Sequence, residues 1–149
     1  MGRLENKVAI ISGAAKGQGA FEAALFAKEG AKVVLADIDL ESCQSNARNI
    51  VGSGGEAVGM YLDVTSPTSW KDCIKSTIEK YQSLTVLVNN AGIYSRIPIE
   101  EASSEEFDLI MAVNLKGVFL GTKYSIPEMR HSGGDRKSTR LNSSHALIS

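Results

Sequence analysis

A glycine-rich segment near the amino terminus has the residue types and spacing of a phosphate-binding turn. Gly13, Gly17 and Gly19 lie between an apolar run and a helical pattern, with Lys16 and Gln18 among them. We expect these glycines to serve the turn, a close backbone approach and helix–strand packing, respectively. Backbone N–H groups at the start of the helix would then face an anion such as a pyrophosphate. The segment lacks the Gly-Lys-Ser/Thr ending of a nucleoside-triphosphate loop, because Gly17 and Gln18 follow Lys16.

A carboxylate follows the second apolar run, where a dinucleotide-binding protein needs one. Asp37 lies twenty residues after Gly17, at the point where an acceptor for the adenosine ribose hydroxyls is expected. A carboxylate there accepts hydrogen bonds from both hydroxyls but repels a 2′-phosphate. The residues that follow it are Ile38 and Asp39, so no neighbouring arginine is present to bind such a phosphate. The pattern predicts NAD rather than NADP as the cofactor, with Ile38 also at the cofactor site. The alternative interpretation of Asp37 is a turn or helix-cap carboxylate.

Four apolar runs alternate with helical patterns along the chain. The sequence predicts strands at residues 8–11, 33–36, 58–62 and 85–88. Helices are predicted from about residue 20 to residue 30, before the glycine cluster at 52–55, and over 67–81. A capping box, Ser103-x-x-Glu106, begins a further long helix that continues to about Met129. This alternation predicts an α/β fold with a Rossmann-type, doubly wound parallel sheet, truncated after the fourth strand and the following long helix.

The predicted topology brings the polar turns of the chain together. Right-handed crossovers place the carboxyl ends of parallel strands on one edge of the sheet, where ligands bind in such folds. The turns at 12–19, 37–39, 63–64 and 89–92 each follow a predicted strand. One site can therefore use residues from all four turns.

Composition excludes several other classes of protein. The 149 residues are 43% hydrophobic and carry a formal net charge of -1, which fits one soluble domain and disfavours a dedicated nucleic-acid or membrane-surface binder. No apolar run approaches the roughly 20 residues of a membrane helix, and no secretory signal opens the chain. Cys43 and Cys73 are too few for a disulfide framework and lack metal-ligand spacing. We expect two reduced structural thiols in a cytoplasmic protein, and no metal site.

Taken together, the motifs resemble those of the short-chain dehydrogenase/reductase family. Its Thr-Gly-x-x-x-Gly-x-Gly pattern is matched from Ser12 to Gly19, with serine for threonine and Gln18 where an aliphatic residue is common. The resemblance implies that Asp63 and Val64 hold the adenine ring. It also implies that the backbone of the Asn-Asn-Ala-Gly signature lines the cofactor, at Asn90, Ala91 and Gly92.

The resemblance also identifies one member of the family's catalytic tetrad. Asn114 matches the helix asparagine whose backbone carbonyl anchors a water in a proton relay. Taken singly, Asp63 could be a turn cap, and Asn114 a polar residue tolerated in a helix. The agreement of several motifs in the family's order favours the functional interpretation of both.

The remaining catalytic residues of the family have no counterpart in this sequence. The family uses a tyrosine as acid/base, a lysine four residues later that lowers the pKa of the tyrosine, and an upstream serine that polarises the substrate carbonyl. No Tyr-x-x-x-Lys occurs here, and the chain stops where the fifth strand and the serine are due. We therefore expect the chain as written to be catalytically inactive. Tyr94, Ser95 and Arg96 are candidates for substrate contact, or else residues of a surface loop.

The last fifteen residues differ in character from the rest. Residues 135–145 show no apolar periodicity, and one permitted set of codons for them matches a widely used sequencing adapter read in frame. Residues 146–147 would then be a six-base sample index, and the adapter resumes at 148–149. We predict an incomplete NAD-binding domain over 1–134 and a non-native tail over 135–149. The alternative is a genuine basic, serine-rich disordered tail.

Two functional hypotheses follow from the motifs. The first is the cofactor-binding part of an NAD-dependent oxidoreductase that interconverts a small-molecule secondary alcohol and a ketone. By resemblance it is closest to the hydroxysteroid and cyclic-alcohol dehydrogenases, which form dimers or tetramers. The second is a non-catalytic dinucleotide-binding or regulatory module. An unpaired sheet edge beyond the fourth strand disfavours the second and predicts poor solubility and weak NAD affinity.

Overall fold

The computed structural model describes residues 2–132, which form a four-stranded sheet flanked by helices. The strands, all parallel to their neighbours in the order β3-β2-β1-β4, are β1 (Val8–Ser12), β2 (Lys32–Asp37), β3 (Glu56–Tyr61) and β4 (Val86–Val88). The expected doubly wound parallel sheet is confirmed. Its order places the ends of β1, β2 and β4 close together, because β1 lies between the other two.

Helices cover both faces of this sheet. They are α1 (Gly17–Lys28), α2 (Leu40–Gly52), α3 (Pro67–Tyr81), α4 (Ser104–Met111) and α5 (Gly117–His131). One apolar cluster joins α1 and α2 to Ile11 and Leu35, and the other joins α3 and α5 to Ile10 and Val34. Residues of opposite pleat are thus buried on both faces, which explains why the strands are continuous apolar runs.

Local residues fix where the helices begin and end. Ser66 caps α3 by accepting a hydrogen bond from the N–H of Ser69 at 3.2 Å, and Pro67 stands in the first turn. The predicted capping box also forms, since the Ser103 hydroxyl accepts from the N–H of Glu106 at 3.1 Å. These caps fix the first residues of α3 and α4.

The expected long helix after Ser103 is present and runs from Ser104 to His131, but its middle is not α-helical. A five-residue π-helical segment, Ala112–Lys116, separates α4 from α5. Such a segment widens the helix locally and often occurs at functional sites. Here it contains Asn114, whose side chain bonds to the backbone outside the helix, so a tertiary contact accompanies the change in helical pitch.

The third strand is one residue shorter at its carboxyl end than predicted. The third strand ends at Tyr61, so Leu62 lies just beyond it, although its side chain is buried as the alternation predicted. The predicted tail over 135–149 lies outside the described residues. Across residues 2–132, none of the helices is both long and apolar enough to cross a membrane.

Candidate functional site

The carboxyl ends of the strands open into a cleft of about 490 Å³. Its walls come from all four turns that the sequence analysis singled out, together with the π segment and α4. The lining residues are Gly13, Lys16, Asp37, Ile38, Leu62, Asp63, Val64, Thr65, Asn90, Ala91, Gly92, Ile93, Leu109 and Val113. The fold thus brings nine of the predicted cofactor residues to one cavity. Gly17, Gln18 and Gly19 lie beside it at the start of α1.

Two glycines of the loop are required by close packing. Gly13 has φ +68°, and a Cβ built on it would stand 2.7 Å from the Cα of Ala91. A Cβ on Gly19 would overlap the carbonyl oxygen of Gly13 and approach the Asn90 amide nitrogen to 2.5 Å. Real Cβ atoms do not tolerate such distances, so both positions admit only glycine without rearrangement. These two glycines therefore hold the loop against the turn after β4.

Gly17 differs from its neighbours because nothing packs against it. Its φ is +61°, and a Cβ on it would meet no atom within 4 Å. It begins α1, whose N-cap residue Lys16 makes no side-chain capping bond and whose first turn contains no acidic residue. The helix start consequently presents backbone N–H groups and a partial positive charge without a protein anion to balance them. This arrangement suits the phosphates of a dinucleotide, which need close backbone approach at a helix N-terminus.

A buried hydroxyl joins the turns after β1 and β4. The Ser12 Oγ donates to the Val88 carbonyl at 3.3 Å and accepts from the N–H groups of Asn90 and Ala91, each at 3.1 Å. In return, the Asn90 amide donates to the carbonyls of Ser12 at 3.0 Å and Gly13 at 3.1 Å. The side chain of Asn90 is therefore occupied within the protein. Asn90 is also one of the residues that line the cleft.

Asp37 is held at the cleft by hydrogen bonds from two backbone groups. Its Oδ2 accepts from the N–H of Ala15 at 3.3 Å, and its Oδ1 accepts from the N–H of Asp39 at 3.1 Å. Each carboxylate oxygen has a further lone pair that can accept from a ligand hydroxyl. The turn-carboxylate interpretation of Asp37 and its proposed ribose contact are thus compatible in one geometry.

Asp63 and Val64 form a wall of the cleft through backbone anchoring. The Asp63 Oδ1 accepts from the N–H of Thr65 at 2.9 Å and from its hydroxyl at 2.7 Å, which is a turn cap. The indole N–H of Trp70 donates to the Val64 carbonyl at 3.0 Å. Gly117 packs beneath, since a Cβ on it would stand 3.0 Å from the Val64 Cγ2. Val64 is therefore fixed in place as an apolar surface at the cleft.

Asn114 ties the π segment to the loop after β4. Its Oδ1 accepts from the N–H of Ile93 at 2.8 Å, and its Nδ2 donates to the Ile93 carbonyl at 2.7 Å. This two-bond pairing uses the amide side chain as a peptide group would be used in a sheet. Asn114 itself does not line the cavity, whereas its neighbour Val113 does.

Several candidate residues have side chains engaged away from the cleft. The Gln18 amide donates to the Glu22 carboxylate at 2.8 Å along α1. The Ser95 hydroxyl donates to the carboxylate of Glu106. Tyr94 is 72% exposed and has the Arg96 guanidinium 5.5 Å from its ring centre. In the described chain, the side-chain hydrogen bonds of Tyr94, Ser95 and Arg96 involve only one another, Ile97 and Glu106, and none reaches a predicted cofactor residue.

The two thiols are not nucleophiles. Both Cys43 and Cys73 are free and buried. Burial raises the pKa of Cys43 to about 12, with the nearby charges of Asp37 and Asp39 adding to the effect. Burial alone raises the pKa of Cys73 to about 12. At neutral pH both remain neutral thiols that serve core packing.

Sequence reasoning missed residues that organise the site without lining it. Ser12 was noted only as a substitution in the motif, and Trp70 and Asn46 were not singled out. A hydroxyl directly before the turn glycine is a usable signal for Ser12. Asn46, whose Nδ2 donates to the carbonyls of Ala14 and Ala15 at 3.3 and 2.9 Å, gives no signal among the polar residues of α2.

These features define an α/β protein with a Rossmann-like parallel sheet and a candidate nucleotide cleft at its carboxyl edge. Comparison with known proteins makes the class specific. The family model of short chain dehydrogenases matches residues 7–138. The chain belongs to this family.

Individual relatives agree with the family assignment. The chain is 44% identical over 131 residues to 2,5-dichloro-2,5-cyclohexadiene-1,4-diol dehydrogenase of Sphingobium indicum, covering 88% of this chain and 52% of the relative. It is 38% identical over 135 residues to cyclopentanol dehydrogenase of Comamonas testosteroni, covering 89% and 54%. The chain spans about half the length of the curated relatives it matches.

A solved structure supports the fold in the same way. A short-chain type dehydrogenase/reductase from Mycobacterium marinum superposes with a TM-score of 0.83 at 32% sequence identity. The match covers 87% of this chain and 53% of the other. The four strands and flanking helices described above are therefore the architecture of this family.

Proposed function

We propose that this chain is the NAD-binding part of an oxidoreductase that interconverts a secondary alcohol and a ketone. The observation that supports it most is the uncapped start of α1, where Gly17 leaves open space next to unbalanced N–H groups. Asp37 at the same cleft would accept the adenosine ribose hydroxyls and repel a 2′-phosphate, so we propose NAD rather than NADP. Ile38, Asp63 and Val64 would surround the adenine.

The residues of this chain would bind and orient the cofactor. The loop from Gly13 to Gly19 would hold the diphosphate, and the backbone from Asn90 to Gly92 would adjoin the nicotinamide half. The bound cofactor supplies a carbon that exchanges hydride with the carbinol carbon of the substrate. The Asn114 carbonyl would hold a water for the proton relay, as the resemblance implies.

We further propose a ring-borne secondary alcohol as the substrate class. Relatives are named for cyclopentanol, for a dichlorocyclohexadiene diol and for trans-4-hydroxycyclohexanecarboxylate. Another relative, 39% identical, is named 3-oxoacyl-[acyl-carrier-protein] reductase, so the same cofactor half also serves acyl chains. A cyclic alcohol is favoured as the substrate here because the names of three of the relatives each contain an alcohol on a ring.

The 149-residue chain itself is proposed to bind NAD without turnover. The reason is that its sequence contains no Tyr-x-x-x-Lys to act as acid/base. This chain alone would therefore bind the cofactor without catalysing hydride transfer.

The test is to sequence independent source DNA across codon 134 without adapter ligation, and then to express the reading frame found. We expect the frame to continue into an apolar strand, a serine and Tyr-x-x-x-Lys, and the product to reduce NAD with cyclopentanol or cyclohexanol. NADP should support at least about ten-fold lower kcat/KM, which corresponds to about 1.4 kcal/mol. A frame that encodes residues 135–149 and then stops would refute the proposal that this chain is part of a longer dehydrogenase. The remaining hypothesis would be a dinucleotide-binding module.

A further inference from the structure

Asn46 on α2 contacts the glycine loop. Among the described residues, it makes the hydrogen bonds that join α2 to this loop. It is half-buried on α2. Its Nδ2 donates to the Ala15 carbonyl at 2.9 Å and to the Ala14 carbonyl at 3.3 Å. The amide orientation follows from chemistry, because two carbonyl oxygens can be satisfied only by the NH₂ end of the side chain.

The contact completes a set of bonds around one peptide group. The peptide between Ala14 and Ala15 has its carbonyl bonded to Asn46 and its N–H bonded to the Asp37 Oδ2 at 3.3 Å. Both hydrogen-bonding ends of this planar group are therefore fixed. The loop that adjoins the phosphate site and the carboxylate proposed for the ribose are joined through it.

The next peptide group explains how Asn46 would affect binding. The Ala15 carbonyl also faces Asn46, and in a trans peptide the following N–H points in the opposite direction. That N–H belongs to Lys16, the N-cap residue of α1 and a residue of the cleft wall. Holding the Ala15 carbonyl therefore sets the direction of a backbone donor at the start of the helix.

We propose that Asn46 is a positioning residue that orders the glycine loop and Asp37 for the dinucleotide before binding. The inference rests on the proposed function for its ligand, and it adds a residue outside the family motifs quoted above. Preorganisation of this kind raises affinity because the loop does not have to be ordered when the ligand binds.

The chain offers a matched control in Asn49. It lies on the same helix, three residues further on, is exposed, and has no side-chain hydrogen bond in the described structure. Asn46→Ala and Asn49→Ala make the same chemical change and the same gain in helix propensity. Asn46→Asp keeps the shape of the side chain but turns a carboxylate oxygen toward two carbonyls.

The test measures NAD and ADP-ribose binding by NMR titration and amide hydrogen exchange of the ligand-free chain. We expect Asn46→Ala to weaken the binding of both ligands about three- to ten-fold, because its two bonds to the loop carbonyls are lost, and Asn46→Asp to weaken it at least as much. Exchange should accelerate at Ala14 and Ala15, whose N–H groups donate to the Ala36 carbonyl and to the Asp37 Oδ2, and should stay unchanged in β4 and α3. Asn49→Ala should leave affinity and exchange unchanged.

The outcomes separate this inference from the proposed function. If the unmodified chain binds NAD and Asn46→Ala binds it equally well, the positioning role is refuted. If the unmodified chain binds no dinucleotide, the proposed function fails, and the exchange data alone decide the role of Asn46. Faster exchange at Ala14 and Ala15 in Asn46→Ala but not in Asn49→Ala would then support Asn46 as the residue that orders the loop. Equal exchange in the two variants would refute it.

Discussion

The open space at Gly17 provides a sharp test of the phosphate site. Gly17→Ala adds one methyl group where no protein atom lies within 4 Å. The only cost to folding is the left-handed backbone, since φ is +61°. An alanine in that conformation costs about 1 kcal/mol after the reduced entropy of the unfolded chain is included. We expect the melting temperature to fall by about 2–4 °C for a chain of this size.

The effect on the ligand should be much larger than the effect on the fold. If backbone and phosphate meet at Gly17, the new methyl group occupies the volume of the ligand. We therefore expect NAD affinity, measured by NMR titration, to fall at least about ten-fold, or about 1.4 kcal/mol.

Gly54→Ala is the matched control for Gly17→Ala. Gly54 also has a positive φ, +88°, and open surroundings, but it lies in the turn between α2 and β3, away from the cleft. The Gly54→Ala variant should show a decrease in melting temperature similar to that of Gly17→Ala, and its NAD affinity should be unchanged. Equal NAD affinities for the two variants would refute the assignment of the space above Gly17 to the dinucleotide.

Three further predictions concern other parts of the site. Asp37→Asn should raise the NADP/NAD affinity ratio at least about ten-fold, because a negative charge facing the 2′-phosphate is removed; an unchanged ratio in paired titrations would contradict the NAD proposal. Asn114→Ala should lower the free energy of unfolding in urea by about 1–3 kcal/mol and speed amide exchange at Ile93, because both bonds to that residue are lost; slow exchange at Ile93 in the variant would argue against this. The two buried thiols have pKa values raised from 9.0 to about 12 in the folded chain. The unfolded chain therefore releases these protons at lower pH than the folded chain does. The contribution of the two thiols to the free energy of unfolding is thus complete below about pH 9 and is lost as pH rises toward 12. Iodoacetamide at pH 8 should label them only at the rate of unfolding, and faster labelling of the folded chain would show that they are accessible.

The sheet and the polar cleft were predictable because both depend on local patterns. Continuous apolar runs such as the one ending at Asp37 identify buried parallel strands. The rule that parallel strands end at one edge then brings Gly13, Asp37 and Asn90 together without any structural information. Backbone turns and strand ends are thus readable one segment at a time.

The remaining features depend on contacts between distant segments. Ser12 meets the N–H of Asn90 across 78 residues of sequence, and a serine at a strand end gives no indication of that partner. The π segment has no periodic signature in the sequence. It contains Asn114, and the bond of Asn114 to Ile93 joins it to a loop about twenty residues earlier in the chain. Asn46 is likewise one polar residue among several on α2. Tertiary hydrogen bonds, rather than propensity, decide these features.

The most direct test of the account is to map NAD binding on the isotopically labelled chain by NMR. We expect chemical-shift changes at residues 13–19, 37–38, 63–64 and 90–92, which saturate at NAD concentrations above the micromolar range. Those concentrations correspond to a binding free energy weaker than about 8 kcal/mol. ADP-ribose, which carries the adenine and the diphosphate but no nicotinamide, should reproduce the changes at 13–19, 37–38 and 63–64. Absence of shifts at about 10 mM NAD would contradict NAD binding at the cleft. Shifts confined to the groove between α1 and α2, which is lined by residues such as Ala24, Lys28 and Ile50, would contradict it as well.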